Sequence, residues 1–261
     1  MNTNTRRFVL LGTALAMTVI ASGFAHGSPE AAPKPKVVKG AGDITAKLDE
    51  FRALLGPDNG GDPTHYPSGR REINWDSVPD DVAAPNALPS EFFNAPTEPR
   101  ARGAVLETPG ANVAVSAKEG NPAGAAVRFG NVNSTYTDRF RTFSAERLFS
   151  PIGSNVVNLR FDVPGTQTRA AVKGFGAVYT SVDRKESAAF QYFDKRGKSL
   201  GKFAVPVSKN GLSFLGVSFP NALVARVKIV YGNNKLGPDD KGKYDVAVMD
   251  DFIYGEPQAV T

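Results

Sequence analysis

Cysteine is absent from this chain and histidine is scarce, and these two shortages exclude much of the chemistry that proteins carry out. Without cysteine there is no disulfide, no thiol nucleophile and no thiolate metal site. The two histidines, His26 and His65, are too few for a histidine-rich zinc site. A Ser-His-Asp triad would have to use His65, and no Gly-x-Ser-x-Gly motif accompanies it. Hydrolysis by a pair of carboxylates needs none of these residues and stays open.

Charge of one sign is not concentrated in any stretch of the chain. The 31 lysines and arginines exceed the 26 acids and give a formal net charge of +5. These basic residues are scattered rather than striped along one element, whereas nucleic-acid-binding domains carry a basic patch or stripe. We therefore do not expect nucleic acid as a partner.

The first 25 residues have the three parts of a secretory signal peptide. Arg6 and Arg7 form the positive region, residues 8–20 the apolar region, and residues 23–25 a small-x-small cleavage site. We expect export to the periplasm or the extracellular space, by either the general or the twin-arginine route. No later apolar run is long enough to span a bilayer, so no integral membrane segment is expected in the mature chain.

A linker and a helix are predicted next. Residues 26–42 are rich in Pro, Ala and Lys, which predicts a flexible linker. Residues 43–55 are predicted to form a helix that ends at Gly56-Pro57. Its apolar side chains recur at helical spacing and form one stripe: Ile44, Leu48, Phe51 and Leu55.

Residues 58–102, which we call the strap, contain many Pro, Gly, Asn and Asp residues and little periodicity. A long segment without regular structure is usually functional or disordered. Trp75 and the Phe92-Phe93 pair argue against disorder, because such large apolar groups favour burial. The strap is therefore predicted to be irregular and packed on the domain.

Short runs of β-branched, aromatic and alternating residues dominate the remaining chain, with Gly and Pro between them. The pattern predicts an all-β, jelly-roll-like β-sandwich over residues 103–257, followed by a tail at 258–261. The predicted strands are residues 104–106, 113–116, 125–129, 139–143, 156–163, 174–182, 188–193, 212–219, 225–231 and 246–254.

Two adjacent carboxylates, Asp250 and Asp251, interrupt the last predicted strand. Strict alternation places Asp250 on the face of Val248 and Asp251 on the face of Met249. One of the two carboxylates would then point toward the core. Because an unpaired buried carboxylate is costly, it must be hydrogen-bonded, ion-paired or bound to a metal.

Several motifs along the chain resemble a group of bacterial secreted β-sandwich proteins, many of which carry a PEP-CTERM sorting tail. The resemblance covers about residues 51–257, and it implies the sandwich fold and secretion but no activity. The sequence ends shortly after the last predicted strand, without the apolar helix and basic tail of the tailed members. The motifs are GRREINWD, ALPSEFFN, RGAVLETPG, FSAERLFSPIGSN, GFGAVYTSVD, LSFLGVSF and VMDDFIYGEP.

The last strand is also loosely similar to the closing strands of jelly-roll carbohydrate-binding modules, in which acidic residues near the chain ends often hold a structural calcium ion. Calcium takes six to eight oxygen ligands. This similarity implies a structural calcium site, and the alternative is a salt bridge to Arg70 or Arg71 or bonds from backbone amides. The predicted calcium ligands are Asp250, Asp251, Asn74 and Asp76.

A second candidate site lies in the strap, where Arg70, Arg71 and Glu72 precede Trp75. Two arginines and a tryptophan can recognise an acidic sugar, with the indole as a stacking surface. The alternative is structural, with the cluster fastening the strap to a sheet.

The sequence thus predicts an exported, non-catalytic β-sandwich that serves as a binding or envelope and matrix module, with a polysaccharide as its expected partner. A glycan-active hydrolase that uses paired carboxylates is the alternative. A purely structural component that associates with itself is the third possibility.

Overall fold

The structure of the protein is a computed structural model, and it describes residues 1–3, 34–240, 242 and 244–260. The predicted signal peptide, apart from residues 1–3, and residues 26–33 of the predicted linker lie outside this range. Within these described segments, no helix has the length and apolar character needed to cross a membrane.

Strands of the described chain, numbered in sequence order, form two antiparallel sheets. In spatial order the first sheet contains β1 (Lys36–Ala41), β11 (Ser208–Ser218), β8 (Gly174–Val182), β13 (Val248–Gly255), β5 (Phe149–Ile152) and β4 (Asn112–Val115), and β2 (Arg70–Ile73) also pairs with β13. The second contains β10 (Ser199–Ala204), β9 (Ala189–Phe193), β12 (Arg226–Val230), β6 (Val156–Asp162), β7 (Arg169–Ala171) and β14 (Gln258–Ala259), and β3 (Ala104–Glu107) also pairs with β6. The predicted all-β sandwich is confirmed.

The main core combines apolar side chains from both sheets and from the strap. Trp75 stacks on Phe149 with ring centroids 4.3 Å apart, and it meets Phe252 edge-on at 4.9 Å. Phe92 and Phe93 join the same cluster. The strap therefore packs through its large apolar residues, because their burial offsets the entropy cost of ordering an irregular segment.

Helix α1 (Thr45–Leu55) covers the outer face of the first sheet. Leu48, Phe51 and Leu55 are buried there with residues of β8, β11 and β13. Two glycines that face each other across β8 and β11, Gly176 and Gly216, leave room for the Phe51 ring. The helical apolar stripe thus meets a depression in the sheet surface.

We expect Gly216→Ala to destabilise the protein by about 1–3 kcal/mol, because overpacking a tight core costs that much. A Cβ atom at this position would lie 2.6 Å from Cδ2 of the Phe51 ring, which is itself buried. Urea unfolding measures the change. Gly237→Ala is the matched control, since a Cβ there has open space, and equal stability of both variants would contradict the account.

A second outer cluster corrects two predicted strands, residues 125–129 and 139–143. Residues 125–129 form only an isolated bridge through Val127, and the helix α2 (Tyr136–Arg139) ends where the second predicted strand begins. Phe129 and Phe140 are buried in this cluster rather than in a sheet ladder. Their aromatic character predicts burial correctly, but burial here occurs under loops.

The first strand corrects part of the predicted linker. The sequence predicts flexibility over residues 26–42, whereas Lys36–Ala41 pairs with β11 along its whole length. Val38 is buried in the cluster beneath α1. The Pro- and Lys-rich composition conceals this strand, because a single inward valine and backbone pairing hold it in place.

At the C-terminal end of the described chain, β14 extends the second sheet into the predicted tail.

Candidate functional site

A β-bulge in β13 changes the side-chain directions that strict alternation predicts. The register between β13 and β8 shifts between Met249 and Phe252, and both of these side chains enter the main core. The carboxylates of Asp250 and Asp251 both meet Ser144. The prediction that one carboxylate faces the core is therefore wrong, because a bulge adds one residue and resets the alternation.

Asp250 and Asp251, which we call the aspartate pair, form one hydrogen-bonded group. The hydroxyl oxygen of Ser144 lies 2.9 Å from Oδ1 of Asp250 and 2.8 Å from Oδ1 of Asp251. The backbone N–H of Phe143 donates to Oδ2 of Asp250 at 2.6 Å. The Ser144 hydroxyl has one proton and can donate to only one of the two carboxyl groups. A proton on the other carboxyl group supplies the second hydrogen bond.

Burial determines the protonation of the aspartate pair. Asp250 is 0% exposed and Asp251 5% exposed. Burial, together with the charge of Asp251, raises the pKa of Asp250 to about 9. Burial also raises the pKa of Asp251, and the nearby carboxylates Glu72 and Asp76 add to this rise. The pair therefore holds a shared proton at neutral pH.

The predicted calcium ligands do not come together as a metal site. Oδ1 of Asp76 accepts hydrogen bonds from the backbone N–H groups of Glu146 and Arg147, the latter at 2.9 Å. Asn74 is exposed. Among the described residues, no three acidic, histidine or cysteine side chains are grouped closely enough to hold an ion. These residues do not fit a calcium site, and calcium stays a prediction of the sequence alone.

Arg71 and Trp75 occupy interior positions, which corrects their predicted role in sugar binding. Both side chains are 0% exposed. Nε and Nη2 of Arg71 donate to the two carboxylate oxygens of Glu256, at 2.7 and 2.9 Å. The indole N–H of Trp75 donates to the backbone oxygen of Asp250 at 2.8 Å. Neither side chain can contact a ligand, so the structural alternative holds for both.

Arg70 and Glu72 fasten the helix to the strap. Glu72 accepts hydrogen bonds from Nε of Arg70 at 2.5 Å and from Nε and Nη2 of Arg52 at 2.9 and 2.8 Å. Burial alone would raise the pKa of Glu72, but these two guanidinium groups hold it below its ordinary value. Neither Arg70 nor Arg71 pairs with the aspartate pair, contrary to the salt bridge that the sequence left open.

A large polar groove lies where loops of both sheets meet at one end of the sandwich. Its volume is about 920 Å³. The lining comes from the segments that connect β4 to β5, β8 to β9 and β12 to β13, and from the first residues of β11. We call it the loop groove. Its lining consists of Asn133, Thr135, Asp138, Arg139, Arg141, Asp183, Arg184, Lys209, Asn210, Pro238, Asp240, Gly242 and Tyr244.

The floor of the loop groove is held by a network centred on Arg139. Its guanidinium contacts Asp240 at 2.7 Å, Asp183 at 3.3 Å and the Ser181 hydroxyl at 3.1 Å. The side-chain amide of Asn133 donates to three backbone oxygens of residues 237, 238 and 240. These bonds join three loops, so the floor is fixed before any ligand arrives.

The rim of the loop groove carries exposed side chains. The side chains of Arg141 and Lys209 are exposed and make no hydrogen bond or ion pair with any described residue. The Tyr244 side chain is 40% exposed. The sequence did not indicate these residues, because they lie on separate segments of the chain and no local motif joins them. Neither residue of the aspartate pair lines the groove.

Comparison with known proteins adds no assignment. No protein family matches the chain, and neither does any curated protein or solved structure.

Proposed function

We propose that the protein is an exported, non-catalytic binding module whose loop groove takes a saccharide. One observation supports this proposal. The loop groove combines a fixed polar floor with a rim that carries the unpaired donors Arg141 and Lys209 and the exposed Tyr244 side chain. Saccharides offer many hydroxyl groups and an apolar ring face. Such a ligand is held by placed polar groups and an aromatic side chain, and loops on a rigid scaffold commonly supply them.

The position of the aspartate pair favours binding over glycoside hydrolysis. A glycosidase needs two carboxylates on either side of a bound sugar. The raised pKa of Asp250 gives the pair an acid of the required kind. Both carboxylates are nearly inaccessible, however, and they hydrogen-bond to Ser144 rather than facing the loop groove. This arrangement supports a structural role for the pair.

We expect Arg141→Ala and Tyr244→Ala each to weaken saccharide binding by about tenfold, since arginine and tyrosine are enriched among the contact residues whose truncation costs more than about 1 kcal/mol. The measurement is a screen of the purified protein against polysaccharides, followed by calorimetry on the ligand that binds. Lys39→Ala, which removes an exposed cation from β1, is the control and should bind as the wild type does.

Three results would overturn the proposal. Release of reducing ends from a bound polysaccharide would identify a hydrolase. Self-association without saccharide binding would identify a structural component. Equal binding by the wild type and both groove variants would place the ligand elsewhere on the molecule.

A further inference from the structure

The outer face of the second sheet carries polar side chains along β10, β12 and the first part of β6. Along β6 and β12, side chains alternate between buried and half-buried, and the buried set enters the main core. Within the part of the chain that the structure describes, no hydrophobic cluster forms on the outward side. The outward side chains of β12 are therefore partly accessible to the solvent.

Strand register places these outward side chains in rows across the sheet. Lys202 of β10 pairs with Gln191 of β9, which pairs with Lys228 of β12. The row continues to Asn158 of β6. Cations and amides thus alternate along one line, although the residues are scattered in the sequence.

The neighbouring row contains a fixed guanidinium group. Arg226 pairs with Phe193 across β12 and β9, and its Cζ atom lies 3.8 Å from the centre of the Phe193 ring. Nη1 of Arg226 also donates to the Asn158 side chain at 3.1 Å. Stacking on an aromatic ring orients the guanidinium and leaves its other donors free for an anion.

The positive charge on this face is not neutralised by neighbouring acids. Among the described residues, Lys202, Arg226 and Lys228 take part in no ion pair, and we call these three the basic sheet face. Arg160, further across the sheet, is paired with Asp162 and Glu107. Within the strands, the unpaired positive charge thus lies on β10 and β12.

Basic side chains of the β9–β10 turn add to this charge. Arg196 and Lys198 belong to the turn, and neither forms an ion pair with a described residue. The one acid of the turn, Asp194, accepts the backbone N–H groups of both residues, at 2.9 and 2.8 Å. Its carboxylate is therefore used to shape the turn.

We propose that the basic sheet face binds an acidic polysaccharide. Lys202 and Lys228 lie two strands apart, about 9.6 Å at the usual strand spacing. A duplex strand carries a phosphate charge about every 3.4 Å, which is much denser than this row of cations. A polysaccharide with an acid on every second sugar matches the spacing, and its hydroxyl groups match the amides of Gln191 and Asn158. This inference does not depend on the loop groove.

The test compares two double variants that lose the same net charge. Lys202→Gln/Lys228→Gln alters the basic sheet face, and Lys36→Gln/Lys39→Gln alters the exposed side of β1. The probes are hyaluronate, which has an acid on every second sugar, polygalacturonate, which has one on every sugar, neutral dextran and single-stranded DNA. We expect the first variant to bind the two acidic polysaccharides at least about fivefold more weakly than the wild type, and the second to bind them as the wild type does.

The salt dependence of binding and the binding of the other two probes test the inference further. Binding to the acidic polysaccharides should weaken from low to high salt, because exposed charges are screened. Neutral dextran should not bind the basic sheet face. The inference is overturned by equal losses in the two double variants, by tighter binding of DNA than of either polysaccharide, or by no binding of either polysaccharide at low salt. Loss of acidic-polysaccharide binding in Arg141→Ala alone would move that ligand to the loop groove.

Discussion

Arg71→Met is expected to lower the free energy of unfolding by about 3–5 kcal/mol, because it leaves a buried carboxylate without its partner. Glu256 is buried and receives two hydrogen bonds from the Arg71 guanidinium. The same guanidinium donates to the backbone oxygens of residues 62, 64 and 101, which would also lose a donor. Urea unfolding followed by the fluorescence of Trp75, the single tryptophan, measures the change.

Two further variants separate the buried ion pair from a general effect of losing an arginine. Arg169→Met removes an ion pair whose arginine is 59% exposed, and it should cost no more than about 1 kcal/mol. Arg71→Met/Glu256→Leu removes both buried charges and should be more stable than Arg71→Met, because no carboxylate is left unpaired. A double variant less stable than the single one would contradict this explanation.

The Arg71–Glu256 pair also shows why contacts between distant segments escape sequence analysis. The two residues are separated by 185 positions. The GRREINWD motif indicates that an arginine fastens the strap, but it cannot say which arginine faces inward. Pairing of β2 with β13 makes that choice, since it places Arg71 opposite Tyr254. The sequence pattern indicates that a buried charged side chain needs a partner, but only the strand register identifies that partner.

Hydrophobic periodicity predicted most of the fold, because burial of one face of a helix or strand makes apolar residues recur at a regular spacing in the sequence. The stripe of α1 and the alternation in β6 and β12 both follow it. The bulge in β13 produces no such spacing. It depends on the register with β8, and a shift of one residue reverses which face a side chain occupies. The incorrect prediction that one carboxylate of the aspartate pair faces the core follows from the one extra residue of this bulge.

Both candidate binding surfaces are products of the fold rather than of local sequence. The loop groove draws its lining from three loops and the start of β11. The basic sheet face draws its cations from β10 and β12, where strand pairing places them near each other. Scattered charge in a β protein therefore does not exclude a charged surface. Adjacent strands bring together residues that the sequence separates, whereas a helix gathers charge only from nearby positions.

The aspartate pair is expected to make the protein less stable as the pH rises, and Asp250→Asn should remove most of this dependence. The pKa of Asp250 is about 9 in the folded chain, against an ordinary value of 3.8. Between these values the folded state keeps a proton that the unfolded state releases. The free energy of unfolding then falls with pH, by up to about 1.4 kcal/mol per pH unit.

Asparagine at position 250 retains an oxygen for the Phe143 N–H and an amide that can donate to Ser144, but it cannot ionise. Asp250→Asn should therefore exceed the wild type in stability by about 2 kcal/mol or more at pH 8, with little difference at pH 4. Urea unfolding from pH 4 to 9 in chelator measures both profiles. Asp239→Asn, an exposed control, should run parallel to the wild type.

The opposite result would be a wild type that is more stable than Asp250→Asn by a margin that grows with pH. Asp250 would then be ionised in the folded chain, and the pair would hold no shared proton. Repeating the series in excess calcium tests the remaining explanation for two adjacent carboxylates. A ligand of the folded state at a hundredfold excess over its Kd adds about 2.7 kcal/mol. If calcium gave the wild type such a gain and Asp250→Asn none, the pair would hold a metal. Without that gain, the shared proton, the Ser144 hydroxyl and the Phe143 N–H account for the pair, because together they bond to Oδ1 of both carboxyl groups and to Oδ2 of Asp250.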